Sequence, residues 1–191
     1  MSESTNHGSF RIISTGSNFD IRAEKSKVKL PGTDREVLFA TQKNSYDCGP
    51  CLTLNILSVL GLPTQDLSIV DIRKKTNKRD HDWFFTNDVS HALEERGIKV
   101  EPYSVKSPQQ EIDFINSLQE KIEEKTPFVV YSGVNRHFKG IYCDGQNYYS
   151  IDSLHKTINS VSQGEIATLI EQVKASDRVE ALTIAYKHSV K

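Results

Sequence analysis

The sequence predicts an α+β fold in which helices come first and an antiparallel sheet follows. Up to about residue 125 the apolar residues recur mostly at helical spacing, whereas from Pro127 they fall into short strand-like runs separated by turns. Helices followed by strands favour α+β over the βαβ alternation of a parallel sheet. A chain of 191 residues is long enough for one domain with its own core.

The first half contains four predicted helices and two short strands, at residues 36–40 and 98–104. The first helix is apolar, follows Cys48 and ends at Gly61, because glycine readily closes a helix. A second is predicted at 62–76, and a third is predicted to be capped by Thr86 or Asn87 and to end at Gly97. The fourth opens at Ser107-Pro108, and its core-facing side is predicted from apolar residues at helical spacing: Ile112, Ile115, Leu118 and Ile122.

The second half reads as strands with one closing helix. Three strands are predicted at 128–131, 137–143 and 148–151, with a hairpin turn at 144–147 between the last two. The pattern Ser162-x-x-Glu165 predicts a capping box and a helix running to about residue 173. A last strand is predicted at 181–186.

Composition limits the classes of partner and compartment. Residues 1–27 are polar and predict a flexible arm before a domain at 28–191, which we expect to be monomeric. A net charge of −1 without a basic stripe argues against a nucleic-acid partner. The sequence has no run of 18 apolar residues, so no membrane span is expected. Its start is polar and lacks the apolar segment of a Sec-type signal peptide. We therefore expect a cytoplasmic protein, or one exported without such a signal, a form compatible with a bacterial effector.

Two patterns overlap at Cys48. Cys48-Gly49-Pro50-Cys51 is the dithiol motif of thioredoxins, whereas Gln42 stands six residues before Cys48, the interval that sets an oxyanion-hole amide beside a nucleophilic thiolate in papain-type enzymes. A redox dithiol usually follows a core strand, but residues 42–48 are polar and loop-like. Gly-Pro also suits a tight turn into a first helical turn. We favour the nucleophile and treat Cys51 as a small buried helix residue, with the oxidoreductase as the alternative.

A cysteine nucleophile needs a stabilised thiolate and an imidazole partner. A helix N-terminus favours a thiolate, and Cys48 stands where the first helix begins. Of the six histidines, His137 begins a predicted strand, and Asp152 lies on the strand that pairs with it. Counted about the turn, His137 faces a residue near 154, so Asp152 is a diagonal neighbour that can orient the imidazole. His7 and His188 lie near the ends of the chain.

At this point the sequence resembles the papain-fold cysteine peptidases of the bacteriocin-processing, double-glycine peptidase-like family, over residues 38–175. The similarity lies in three stretches: Gln42-x5-Cys48-Gly49-Pro50-Cys51-Leu52, Thr86-Asn87-Asp88-Val89-x-x-Ala92-Leu93-x-x-x-Gly97, and His137-Phe138-x-Gly140-Ile141-Tyr142-x-Asp144-Gly145 with Asp152. The resemblance implies a papain-like fold, with a helical half packed on a C-terminal antiparallel sheet.

The same resemblance implies roles for four residues. Cys48 would be the nucleophile and His137 the general base, Asp152 would orient the histidine, and Gln42 with the Cys48 backbone N–H would form the oxyanion hole. Asp47 is interpreted as a local anion at the helix start. Where this family often has Asp-Pro at the orienting carboxylate, the chain has Asp152-Ser153.

The expected function is hydrolysis of peptide or isopeptide amide bonds through a thioester, with a protein or peptide as substrate. Gln42-x-Asn44-x-x-Asp47-Cys48-Gly49 also resembles the nucleophile motif of proteases that remove SUMO-like modifiers, which adds ubiquitin-like modifiers as partners. Glutamine deamidation and transglutaminase-type acyl transfer use the same machinery and remain alternatives. No cofactor is expected, and no metal, since a structural zinc site usually has two close ligand pairs and only one is present.

Overall fold

The computed structural model describes residues 22–134, 136–176 and 181–187. Most of the predicted arm, together with His7 and His188, lies outside these residues. The elements, in chain order, are β1 Ala23–Lys29, β2 Glu36–Gln42, α1 Cys48–Val59, α2 Ile69–Lys75, α3 Thr86–Glu94, β3 Ile98–Tyr103, α4 Pro108–Glu123, β4 Phe128–Val134, β5 His137–Cys143, β6 Tyr148–Asp152, β7 Asn159–Val161, α5 Gly164–Ala175 and β8 Leu182–Lys187.

The strands form two sheets. Six of them pair antiparallel in the order β3-β8-β4-β5-β6-β7, and β1 pairs with β2 in a separate ribbon. Apolar residues alternate between two cores along β4: Val129 and Tyr131 face the core around α1, and Phe128 and Val130 face the core that contains α4 and α5. The predicted α+β class, with a helical half on an antiparallel sheet, is confirmed.

Helix α1 is the central element of the first core. All of its residues are buried, as expected for a helix that is apolar on every side. Its one side-chain amide, that of Asn55, forms two hydrogen bonds with the backbone of β2. Oδ1 accepts from Ala40 N at 2.6 Å, and Nδ2 donates to Ala40 O at 3.0 Å. The ribbon is thereby fixed to α1, which also brings Gln42 at the end of β2 close to the start of the helix.

Two glycines allow close approach to this helix. A Cβ on Gly140 of β5 would lie 3.2 Å from the side chain of Leu52, so the helix packs directly on the sheet. A Cβ on Gly49 would lie 2.6 Å from Cβ of Phe84, so the segment before α3 lies on the first turn of α1. Both contacts position the start of α1 between the sheet and residues 83–85.

Several predicted details are wrong. Strand β1 begins at Ala23, inside the predicted arm, because its residues pair with β2 along their whole length. Ile112 and Ile115 are exposed, since α4 buries Phe114, Leu118 and Lys121 instead. Helix α2 is shorter than predicted and starts at the capping serine Ser68. The N-cap position of α3 is Phe85, one residue before the predicted cap at Thr86, and its side chain makes no capping hydrogen bond.

The helix of the second half also starts differently from the prediction. The N-cap of α5 is Gln163 and makes no side-chain capping bond, and the Glu165 amide donates to the carbonyl of Ser162 at 3.1 Å. The predicted capping box is therefore not formed. Strand β7 was not predicted, because its three residues, Asn159–Val161, are mostly exposed and show no apolar alternation.

Candidate active site

Cys48 lies at the first position of α1, directly after the N-cap residue Asp47. The Cys51 amide donates to the Asp47 carbonyl at 2.9 Å, which closes the first helical turn around the thiol. The backbone N–H groups of a first turn have no partner within the helix and carry partial positive charge. Cys48 is only 3% exposed, so its sulfur lies in a site shielded from bulk water.

His137 and Asp152 meet across two neighbouring strands of the sheet. Lys139 pairs with Asp152 between β5 and β6, which makes His137 the diagonal neighbour of Asp152. The distance from His137 Nε2 to Asp152 Oδ1 is 2.7 Å, and the same oxygen accepts the Leu154 amide at 3.0 Å. The diagonal relation expected from the hairpin count is therefore observed in the structure.

The environment of His137 favours its charged form. Burial opposes protonation, but hydrogen bonds to Asp152 and to Cys48, together with their negative charges, raise the pKa of His137 to about 9. Burial likewise tends to raise the pKa of Asp152, and the bond to His137 and the Leu154 amide outweigh it and hold this pKa below its ordinary value. At pH 7 an imidazolium beside an aspartate is thus the stable state of the pair.

One ring nitrogen of His137 is held by the carboxylate. Nε2 is bonded to Asp152, and Nδ1 is the nitrogen that remains for a second partner, while the neighbouring Cys48 side chain helps to raise the pKa of the ring. A ring held in this way can take the proton of the thiol on one side, while the carboxylate stabilises the resulting positive charge on the other. The arrangement can generate a thiolate–imidazolium pair at a helix start.

Gln42 is the last residue of β2 and is held by three hydrogen bonds. Its Oε1 accepts the hydroxyl of Ser153 at 2.6 Å, and its Nε2 donates to the carbonyl of Asn44 at 3.1 Å. Its backbone N–H donates to the Ser153 carbonyl at 2.9 Å. The structure therefore brings Gln42 next to the segment that follows Asp152, and each of the four predicted site residues lies at one end of a different element: β2, α1, β5 or β6.

Asp47 is the centre of a buried charge network. Its carboxylate is fully buried, and Oδ1 accepts from Nε and Nη2 of Arg73 at 2.9 and 2.8 Å. Oδ2 accepts from Nε of Arg22 at 2.9 Å and from the amide of Asn44. Arg73 is itself 2% exposed and also donates to the carbonyl of Tyr46 at 2.6 Å. The residue interpreted as a local helix-start anion thus anchors the whole loop that leads into Cys48.

An aromatic cluster lies beside the start of α1. Tyr46 packs against Trp83 with ring centroids 4.9 Å apart and against His81 at 5.5 Å. Trp83 is 41% exposed, whereas tryptophan side chains are on average mostly buried. Because Tyr46 is two residues before Cys48, the cluster packs on the loop that leads into the thiol.

The surroundings of Cys51 bear on the redox alternative. Cys51 is fully buried in α1, and β2, the strand before the motif, pairs with β1 and not with the six-stranded sheet. A thioredoxin-like frame, with a core strand leading into the dithiol and a parallel βαβ unit, is absent from the described residues. Cys143 lies in the other core, and burial raises the pKa of its thiol.

Three residues of the site had no signal in the sequence. Arg22, Arg73 and Ser153 contact site residues that are 25, 26 and 111 positions away along the chain. His155, a second histidine near the carboxylate, lies with its Nε2 4.0 Å from Asp152 Oδ2 and is exposed. In residues 22–134, 136–176 and 181–187, no three His, Cys, Asp or Glu side chains converge as metal ligands, and no helix is long and apolar enough to cross a membrane.

The chain was compared with known proteins. No protein-family model matches it, and no curated protein matches it. Among solved structures it is similar to the peptidase domain of Streptococcus ComA, a bi-functional ABC transporter involved in a quorum sensing pathway. The two share 17% sequence identity with a TM-score of 0.46, over 78% of this chain and 96% of that chain.

Proposed function

We propose that the chain contains a cysteine hydrolase domain, with strand β1 as part of it, that cleaves an amide bond of a peptide or protein through a thioester. The observation that carries the proposal is the bond from the His137 ring to the Asp152 carboxylate at 2.7 Å, in a ring whose pKa is also raised by the nearby Cys48 side chain at the start of α1. A nucleophile, a base that activates it and a group that orients the base are the minimum set for this chemistry.

The reaction follows from these positions. The Cys48 sulfur attacks the amide carbonyl, a C–S bond forms, and the developing oxyanion accepts hydrogen bonds from the Cys48 backbone N–H and from Gln42 Nε2. His137 donates its proton to the leaving amine as the C–N bond breaks. A water molecule, deprotonated by the neutral ring, then attacks the thioester and releases a carboxylic acid and the free thiol.

The surface around the site supports an extended peptide or protein as the substrate. The aromatic cluster of Tyr46, His81 and Trp83 packs on the loop that leads into Cys48, and Leu154, which is 58% exposed, lies two residues after Asp152. Exposed apolar side chains beside a shielded thiol gain free energy when a polypeptide covers them. An isopeptide bond at the C-terminal tail of a ubiquitin-like modifier is a substrate of this kind, and a panel of ubiquitin-like electrophilic probes tests it directly.

The first experiment maps alkylation by iodoacetamide near pH 7. We expect Cys48 to be labelled much faster than Cys51 or Cys143, because the imidazolium of His137 favours its thiolate. Replacing Cys51 by serine is expected to change the Cys48 rate little. In His137→Ala the rate is expected to fall at least about tenfold, since an ordinary thiol is only a few per cent ionised at this pH.

The alternative functions would give different experimental results. A Cys48–Cys51 disulfide that forms readily, and a reduced protein that reduces insulin-like substrates, would contradict the hydrolase and establish the oxidoreductase. Release of ammonia from protein glutamine side chains, without new amino termini, would instead assign the same machinery to deamidation.

Replacing Asp152 by asparagine is expected to move the alkaline limit of activity to lower pH. Asp152 makes the strongest of the interactions that raise the pKa of His137, so its loss lowers that pKa and the ring becomes neutral at lower pH. A neutral ring cannot protonate the leaving amine, and kcat at pH 7 is expected to fall by up to about 10⁴-fold. The pH profile of kcat/KM measures the shift; a profile with the wild-type alkaline limit would contradict the role of Asp152.

A further inference from the structure

Ser153 connects the carboxylate side of the site to the amide side. It follows Asp152 directly and is fully buried. Its Oγ–H donates to Gln42 Oε1 at 2.6 Å, and its carbonyl accepts the Gln42 backbone N–H at 2.9 Å. One residue therefore holds both the main chain and the side chain of Gln42.

The carboxamide of Gln42 is held at both ends. Its Nε2 donates one hydrogen to the Asn44 carbonyl at 3.1 Å, and its Oε1 receives the Ser153 hydroxyl. A turned-over amide would place its oxygen against the Asn44 carbonyl, which can only accept, so the observed orientation is the favourable one. The second hydrogen of Nε2 is not used by either bond and stays available for an oxygen in the site.

Asn44 is itself fixed by the loop that leads into Cys48. Its side-chain amide donates to the buried carboxylate of Asp47, and its Oδ1 accepts the Tyr46 backbone N–H at 3.0 Å. The acceptor for Gln42 Nε2 is therefore part of a loop with its own hydrogen bonds to Asp47 and Tyr46. The donor to Oε1, by contrast, is a single hydroxyl on the segment after β6.

We propose that Ser153 is a positioning residue, whose hydroxyl orients the Gln42 amide toward the oxyanion that forms at the carbonyl attacked by Cys48. This inference rests on the proposed function. Without the hydroxyl, the half-buried Oε1 loses its protein donor and the carboxamide is free to rotate away from the reacting oxygen. The Ser153 backbone bond to Gln42 survives an alanine substitution, so β2 keeps its position.

Two reactions of the same thiol separate this role from a merely structural one. With p-nitrophenyl acetate, the Cys48 sulfur attacks the carbonyl, a C–S bond forms through an oxyanion, and p-nitrophenolate leaves with the electron pair of its C–O bond. With iodoacetamide, the sulfur displaces iodide at a saturated carbon and no oxyanion forms. An oriented Gln42 amide accelerates the first reaction and has no part in the second.

The experiment measures both rates at pH 7 in the wild type, Ser153→Ala, Gln42→Ala and the double variant, with Cys48→Ala as the blank. We expect Ser153→Ala to lower acylation about tenfold, less than the roughly 10²-fold loss on removing the donor itself in Gln42→Ala. Alkylation is expected to be unchanged in both. Adding Ser153→Ala to Gln42→Ala is expected to cause no further loss, because Ser153 acts through Gln42.

Ser132→Ala is the matched control, since Ser132 is also fully buried and its hydroxyl donates to the Ala181 carbonyl at 3.0 Å, outside the site. It is expected to leave the ratio of acylation to alkylation at the wild-type value. Unchanged acylation in Ser153→Ala, an equal fall of both rates, or a further loss in the double variant would each overturn the inference. A wild-type Cys48 that reacts with neither probe faster than an ordinary thiol would instead overturn the proposed function.

Discussion

Replacing His137 by alanine is expected to abolish hydrolysis of any amide substrate, with a fall in kcat of about 10⁴-fold or more. The variant loses the base that generates the thiolate and the acid that protonates the leaving amine. For p-nitrophenyl acetate, whose leaving group departs without a proton, the expected fall is only about 30-fold, the factor set by the thiolate fraction of an ordinary thiol. The measurement is kcat for the amide substrate and the acylation rate for the ester.

His155→Ala is the control for this prediction. His155 is also close to Asp152, at 4.0 Å, but it is exposed and on the side of the carboxylate away from the bond to His137. Activity of the His155 variant is expected to remain near that of the wild type. Equal losses for amide and ester in His137→Ala, or a larger loss in His155→Ala, would contradict the assignment of the acid and base to His137.

Replacing Asp47 by alanine is expected to lower the free energy of unfolding by about 3–5 kcal/mol. The reason is that Arg73 is 2% exposed and directs two of its donors at the Asp47 carboxylate, so the substitution leaves a buried guanidinium without its counter-charge. Urea unfolding, followed through its midpoint and slope, measures the loss. The double variant Asp47→Leu/Arg73→Met, which removes both charges, is expected to recover part of it.

Asp34 offers the matched control, because its ion pair with Lys29 lies on the surface of the ribbon. Such exposed pairs contribute little, so Asp34→Ala is expected to unfold at nearly the wild-type urea concentration. If Asp47→Ala were as stable as Asp34→Ala, the buried network would not hold the loop before Cys48.

The local signals of the sequence predicted the parts of the site that depend on short-range geometry. The Gly61 stop and the apolar run before it predicted α1, and the turn at 144–147 fixed the register of the hairpin. Because side chains on paired strands have a period of two, that register alone brings His137 and Asp152 to the same place. The catalytic roles of these residues remain predictions.

The remaining features depend on contacts between distant parts of the chain. The segment Ala23–Lys29 is polar and carries little strand propensity, and it becomes β1 only because β2 offers it a partner. The exposure of Ile112 and Ile115 follows from the position of α4 on the sheet, which selects Phe114 and Leu118 for the core.

The polar network of the site also depends on contacts between residues that are distant along the chain. Nothing near Asp47 in the sequence indicates that two arginines, Arg22 and Arg73, converge on it. The hydroxyl of Ser153 likewise has meaning only once β2 lies beside the end of β6. Buried charges and amides are satisfied by whatever the fold brings near them, and spacing along the chain does not encode that.

We propose that the Asp152 carboxylate and the Cys48 side chain together hold the ring of His137 in its charged form. An NMR titration of the His137 ring, in the wild type and in Cys48→Ala, tests it most directly. We expect the wild-type ring to remain protonated through pH 7 and to titrate with a pKa of about 9, and Cys48→Ala to lower that pKa. A ring that titrates near its ordinary value of about 6.5, unchanged by loss of the thiol, would contradict the account.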